Sequence, residues 1–222
     1  MKNTILYIFI AALTMGGLAS CKKSSYLTDG GLSSSKSPLS TYEYLKQHPH
    51  KLFDTLIMVI DHYQMKDEVN AAATFFAATN YSINRYIKMK KAAVLEVDEN
   101  GNYTLADMYN DITADSLRMY CVKSRVELTT APEVATLAGN NANTQVAIQR
   151  ILQPKPPEAW SSVPIYYLFF IKVNNGLDVP GITLPDNSPD RDVSIRCQTT
   201  GIEPSSGGIL NILSNQHMFI RF

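Results

Sequence analysis

Ala73-Thr74-Phe75-Phe76-Ala77-Ala78-Thr79-Asn80-Tyr81-Ser82-Ile83 is the stretch on which the reading of the fold turns. Ala73 to Ala77 is a short β run. Thr79 to Ser82 then offers several residues able to cap a helix N-terminus, because their side-chain oxygens accept from backbone N–H groups that have no partner in the first turn. Ile83, Tyr86 and Ile87 follow at helical spacing and give that helix a buried face. Lys88, Lys90 and Lys91 lie on its exposed side and read as a solvated face. A strand running directly into an amphipathic helix therefore stands near the start of the folded part.

Upstream of this stretch the pattern is helical. Ser40-Thr41 precedes Tyr42-Glu43-Tyr44-Leu45 as a cap and short helix, and the stripe Leu52, Leu56, Ile60, Tyr63 predicts a second helix over 51–63. Asp67 to Asn70 continues as a helical turn or loop. Downstream, Asn100-Gly101 reads as a tight turn, Ala106 to Tyr109 as a helical turn, and Asp115 to Tyr120 as a short helix capped from Thr113. Strands are then expected over 122–128, 134–137, 145–152, 164–173, 192–199, 208–213 and 217–222. The 164–173 segment is apolar on both alternating faces and is expected to be a central strand covered on both sides, with Tyr166, Tyr167, Phe169 and Phe170 in the core. In 192–199, Asp192, Ser194, Arg196 and Gln198 oppose the apolar set and predict one wet face. Helices first and strands after point to an α+β fold.

The N-terminus reads as an address. Lys2 is followed by an apolar run, Ile5 to Leu18, of the length of a signal h-region and short of the roughly 20 residues of a spanning helix. No later stretch matches it, so no transmembrane helix is expected in the mature chain. Leu18-Ala19-Ser20-Cys21 resembles the bacterial lipobox, and that resemblance implies cleavage before Cys21 and diacylation of its thiol. Two acyl chains anchor stably where one does not. Residues 1–20 are thus expected to be a lipoprotein signal peptide, and 21–39, rich in Ser and Gly, a flexible tether. Residues 40–222 are expected to form one domain. Lys22 and Lys23 add a minor attraction to anionic headgroups. The expected location is the cell envelope, anchored to the outer membrane by lipid, with the membrane face undecided.

Lys+Arg 20 against Asp+Glu 20 lacks the basic footprint of a nucleic-acid binder. Export makes a Cys121–Cys197 disulfide chemically possible. Cys197 also continues the series Val193, Ile195 as a small buried hydrophobe, and sequence does not choose between the two.

Three further segments carry a family resemblance. Thr74-Phe75-Phe76-Ala77-Ala78-Thr79-Asn80 resembles the first signature of fasciclin-like domains, T-x-F-A-P-T-(D/N), with Ala78 in place of proline. Gly208-Ile209-Leu210-Asn211-Ile212-Leu213 looks like the family's closing strand, with Asn211 in place of the usual histidine, and Ala135-Thr136-Leu137-Ala138-Gly139-Asn140 looks like its T-L-x-G strand and turn. The resemblance spans 40–222 and implies a β-wedge with N-terminal helices packed around it. It also implies adhesion or ligand binding at the envelope without a shared catalytic site. The tyrosine–histidine pair of integrin-binding members is missing. Similar bacterial lipoproteins accompany outer-membrane glycan-uptake systems, which implies an accessory-subunit role as the alternative.

Candidate chemistry is sparse. His48, His50, His62 and His217 lack zinc spacing and read as surface or helix-end residues. Asp186 to Asp192 alternates oxygen ligands but lacks the glycine and terminal glutamate of a calcium loop, and reads as a turn with exposed acids. No G-x-S-x-G elbow or phosphate-binding glycine loop occurs. Asp98-Glu99 lies in polar turn sequence, and Asp111 and Asp115 read as helix-start acids. Trp160, after the Pro-rich stretch 154–157, is a candidate contact for a sugar or protein partner, and a lone tryptophan also commonly caps a core. Neither catalysis, a metal nor a cofactor is expected, and the partner is expected to be a protein or glycan at the envelope.

Overall fold

The computed structural model describes residues 35–154, 163–186 and 188–221. Cys21 and Trp160 lie outside these residues, as does most of the expected tether. The described chain opens with helices α1 (Thr41–Lys46), α2 (Asp54–His62) and α3 (Lys66–Ala71), and then strand β1 (Thr74–Ala77). Helices α4 (Asn80–Leu95), α5 (Leu105–Asp111) and α6 (Ala114–Arg118) follow. The remaining strands are β2 (Cys121–Val122), β3 (Thr136–Ala138), β4 (Val146–Leu152), β5 (Tyr166–Lys172), β6 (Val193–Ile202) and β7 (Ile209–Leu213). The class is α+β, as the order of patterns predicts.

Local chemistry explains the helix starts. Ser40 accepts from the Glu43 N–H at 3.3 Å. Thr104 and Asp107 form a reciprocal capping box, and Thr113 with Ser116 forms another. Helix α2 begins at Asp54 rather than Lys51. Lys51 is left-handed (φ 49) and its carbonyl accepts from Asn80 Nδ2 at 2.7 Å. Asn80 Oδ1 in turn takes the Thr55 N–H at 2.8 Å, so a residue at the start of α4 caps α2.

The seven strands form one mixed sheet in the order β2-β1-β7-β6-β5-β4-β3, curled nearly into a barrel. β1 lies parallel to β7, Thr74 opposite Ile209 and Ala77 opposite Ile212, and both strands are buried on both faces. β6 is shared unequally. Its residues Val193 to Arg196 pair with β5, whereas Cys197 to Ile202 pair with β7 through two irregularities. The strand passes from one half of the sheet to the other at Cys197, and the halves fold toward each other. Phe76 of β1 stacks on Phe170 of β5 with ring centroids 4.5 Å apart. The outer edges meet through an antiparallel bridge between Val122 and Asn140, supported by Lys123 N–H to the Gly139 carbonyl at 2.8 Å. That contact removes most of the exposed strand edge.

Several expectations are corrected. The strand expected over 122–128 stops at Val122. Thr74 Oγ1 accepts the Val126 N–H and donates to the Ser124 carbonyl, both at 2.8 Å, and holds this segment in a turn. Buried Asn211 donates to the Val126 carbonyl at 3.3 Å and clamps the same turn. Residues 217–221 form turns rather than a closing strand, with Phe219 fully buried and stacked on Tyr120. The strands covered on both sides are β1 and β7. β5 is interior, with Leu168 and Phe170 in the core, but Tyr166, Tyr167 and Phe169 are only half-buried.

Cys121 and Cys197 are both free and buried. They stand on β2 and β6, three strand spacings apart, or roughly 14 Å, beyond the reach of a disulfide. The last tether residues are held rather than free: Lys36 bridges Glu203, Glu203 N–H reaches the Ser35 carbonyl at 2.7 Å, and Ser205 N–H reaches Leu39 at 2.9 Å. They satisfy backbone groups that β6 leaves open as it ends. No helix among the described residues is long and apolar enough to cross a membrane.

Gly208 shows how tightly β7 enters the core: a Cβ there would lie 2.3 Å from the Ala72 carbonyl oxygen. Gly207, though left-handed (φ +94), has open space around its would-be Cβ. Gly208→Ala should therefore lower stability by at least about 1–3 kcal/mol through overpacking. Gly207→Asn, which tolerates the left-handed region, should cost under about 1 kcal/mol. Urea unfolding of both variants checks this, and equal midpoints would contradict the close approach.

Candidate functional site

The half of the sheet made by β3 to β6 turns one face outward. Register places Leu137 beside Ala147, Ile151 beside Tyr167, and Gln149, Phe169 and Arg196 in one row across β4, β5 and β6. At one end of this face Ala135, Leu177 and half-buried Phe169 pack onto Ala147, Ile171 and Val173. Toward the other end nothing comparable covers it among the described residues. There Ile151 stays 38% exposed beside half-buried Tyr167, while Leu137, in the row of Ala147, is 53% exposed on β3 at the edge of the sheet. An apolar, aromatic surface is thus left open next to a covered one.

Arg196 gives this surface its polarity. Its guanidinium lies 4.5 Å from the Tyr167 ring centroid, a cation–π stack that holds the long side chain flat. Arg196 is exposed, and its side chain makes no hydrogen bond or ion pair among the described residues. Arg150 makes the contrast. It stacks on Tyr166 at the same 4.5 Å, but donates to the Thr129 carbonyl and to Glu133 Oε1 at 3.0 Å, and Tyr166 also donates to Glu133. Arg150 is consumed in tying β4 to the 128–133 loop, and Arg196 is open.

Beside Arg196 the pairing of β5 with β6 ends at Phe169, and the strands separate. The gap is a groove of about 200 Å³ whose lining includes Tyr166, Tyr167, Arg196, Gln198 and Thr200. It is smaller than ordinary ligand pockets of roughly 300–1,000 Å³ and suits one ring or side chain. No carboxylate or imidazole lines it among the described residues. The Cys197 thiol beneath it is pushed far above its ordinary range by burial and stays protonated. The arrangement can stack a planar or apolar ring face and donate hydrogen bonds to hydroxyl or carboxylate oxygens.

Other candidate residues sit elsewhere. His48 packs edge-on against Phe53, and His62 stacks on Tyr109 at 3.8 Å. His217 is not a surface residue. It is fully buried, with Nε2 3.1 Å from the Tyr120 hydroxyl, which accepts the Ile220 N–H at 2.9 Å. Asp111 closes α5 rather than starting a helix. Lys90 pairs with it at 2.7 Å and the Tyr103 hydroxyl donates to it at 2.8 Å, holding its carboxyl below the usual range. Lys90 is accordingly an ion-pair partner, while Lys88 and Lys91 are exposed. In the 186–192 turn, Asp186 pairs with Arg191, and Asp192 accepts the Asn174 and Asp178 N–H groups. No group of three or more His, Cys, Asp or Glu is placed to hold a metal among the described residues. Sequence reasoning missed the Tyr167–Arg196 pair, whose only signal was an arginine on the wet face of one strand and a tyrosine on another.

No protein-family model matches the chain, and no curated protein matches it.

Burial lowers the His217 pKa to about 3, so the imidazole is neutral in the fold and protonates first in the unfolded chain. The unfolded state then binds more protons below pH about 6.5, and stability falls as pH drops through the window from about 6.5 to about 3. Between pH 7.5 and 4.5 this group should account for a loss on the order of 1–3 kcal/mol, absent in His217→Gln. Urea titrations at the two pH values check it; an equal pH dependence in both proteins would refute the assignment.

Proposed function

We propose that this chain is a lipid-anchored lipoprotein of the cell envelope whose folded part is a non-catalytic, fasciclin-like binding module. The observation that carries the binding reading is the open Arg196 guanidinium stacked on Tyr167 within an exposed apolar face. An aromatic ring beside unfilled donors suits the alternating apolar and hydroxyl faces of a sugar, and equally a protein side chain with a carboxylate. Trp160, in the connection from β4 to β5, is the further contact proposed from sequence. The lipid-anchor reading rests on Leu18-Ala19-Ser20-Cys21, with Cys21 as the acylated residue.

The fasciclin-like reading is supported by where its signature segments meet. The first becomes β1 and the last becomes β7, and they pair side by side. The third becomes β3, at the opposite end of the sheet. Thr74 and Asn211, one from each central segment, both hold Val126. The groove lining favours adhesion over catalysis, since its side chains offer stacking and donors rather than an acid–base pair.

A second reading, an accessory subunit of an outer-membrane glycan-uptake complex, is favoured by two exposed aliphatic side chains on this half of the sheet, Ile151 beside Tyr167 and Leu137 on β3. Its partner is a protein, which would cover those residues. A glycan array and an envelope pull-down with the detergent-solubilised full chain separate the two. Tyr167→Ala and Arg196→Ala should weaken whichever interaction is found by about tenfold or more, since residues of this kind dominate interfaces. Their melting temperatures should stay within about 3 °C of the parent. Binding unchanged in both variants would remove this face from the proposal. Cys21→Ala should move the protein out of the membrane fraction; continued sedimentation with membranes would refute the anchor.

A further inference from the structure

β6 has two ends with different surroundings. At Ile202 it leads to Glu203, where the described chain enters through Ser35. At Val193 it borders a cavity of about 650 Å³ whose lining includes Lys172, Arg191, Asp192, Ser194 and Arg221. This cavity is separate from the Tyr167–Arg196 face and does not depend on the function proposed for it.

The cavity's charges do not cancel locally. Three cations and two carboxylates, Asp186 and Asp192, line it. Arg191 is paired with Asp186. Asp192 has turned both carboxylate oxygens onto backbone, accepting the Asn174 N–H at 3.2 Å and the Asp178 N–H at 2.9 Å. Lys172 and Arg221 are left without an ion pair among the described residues. The Lys172 ammonium donates to the Ile220 carbonyl at 2.8 Å, and Arg221 reaches only the Met89 sulfur at 3.7 Å. Both partners are neutral.

Lys172 is also partly desolvated. Burial first, and then the positive field of Arg221, pulls its pKa below the ordinary lysine value. Two like charges lining one concavity, one of them partly desolvated, disfavour each other unless an anion joins them. Proteins bear such a cost where a ligand relieves it. The volume exceeds that of a bare ion, and Ser194 adds a hydroxyl to the wall.

We propose that Lys172 and Arg221 form a binding site for an oxyanion group — a carboxylate, sulfate or phosphate carried on a larger polar ligand. The ammonium contributes a point charge, and the guanidinium contributes paired donors that match two oxygens of one group. Arg191 stays with Asp186 and shapes the rim.

Equilibrium dialysis of the full chain in detergent against radiolabelled inorganic sulfate, at low ionic strength, tests the site. The parent protein should bind sulfate saturably. Arg221→Gln and Lys172→Met should each weaken binding by about tenfold or more, as loss of a charge-assisted contact predicts. Lys46→Met, a loss of an exposed lysine elsewhere, should bind like the parent. Arg221 is exposed, so its variant keeps the fold and carries the test alone if Lys172→Met fails to fold. Absence of saturable binding in the parent, or parent-like binding by Arg221→Gln, would overturn the proposal.

Discussion

The parallel pairing of Thr74–Ala77 with Ile209–Leu213 is the constraint on which the rest of the structure depends. These strands lie far apart in sequence and are buried on both faces, so their backbone groups have no water to turn to and must satisfy each other. The approach is close enough that position 208 has no room for a Cβ against Ala72. Once the pair is made, the Thr74 hydroxyl and the Asn211 amide reach the same turn at Val126 and fix the chain that leads toward β3. β6 then joins this pair by its second half and β5 by its first, which bends the sheet and brings Phe76 onto Phe170. The outward face of the β3–β6 half is a consequence: a sheet folded on itself buries one side and leaves the other to solvent or to a partner.

Much of this was legible because it is local. Helix starts at Ser40 and Thr113 follow from side chains that cap within three residues, whereas at Thr104 only a helical turn over Ala106 to Tyr109 is expected and the cap is not. The wet face of β6 follows from strict alternation. What was not legible depends on partners distant in sequence. The segment after Val122 has strand-like residues, but Thr74 takes its hydrogen bonds. His217 and Phe219 are spaced as one face of a strand, but both pack on Tyr120 in the core. Asp111 looks like a helix-start acid until Lys90, on another helix, reaches it. Tyr167 and Phe169 illustrate the limit for the candidate site. Apolarity on both faces of β5 suggested double coverage, but hydropathy does not tell an unpartnered apolar face from a buried one. That Arg196 lies across from them required the register.

The contrast between two arginines organises the functional reading. Arg150 and Arg196 each lie on a tyrosine at 4.5 Å, so stacking alone does not separate them. Their remaining donors do. The terminal nitrogens of Arg150 donate to carbonyls and Glu133, a structural use, whereas exposed Arg196 makes no side-chain hydrogen bond among the described residues and lines a groove. Charge without a counter-ion among the described residues singles out Lys172 and Arg221 at the Val193 end of β6. In both places the side chains offer stacking, positive charge and hydrogen-bond donors.

The β1–β7 pair should be the last structure to be lost, and native-state hydrogen exchange measures this directly. Amides of β1 and β7 should exchange only through global unfolding, with protection above that of the β4–β5 hairpin, whose outer face is open, and far above the edge strand β3. A β4–β5 hairpin more protected than β1 and β7 would contradict the central claim.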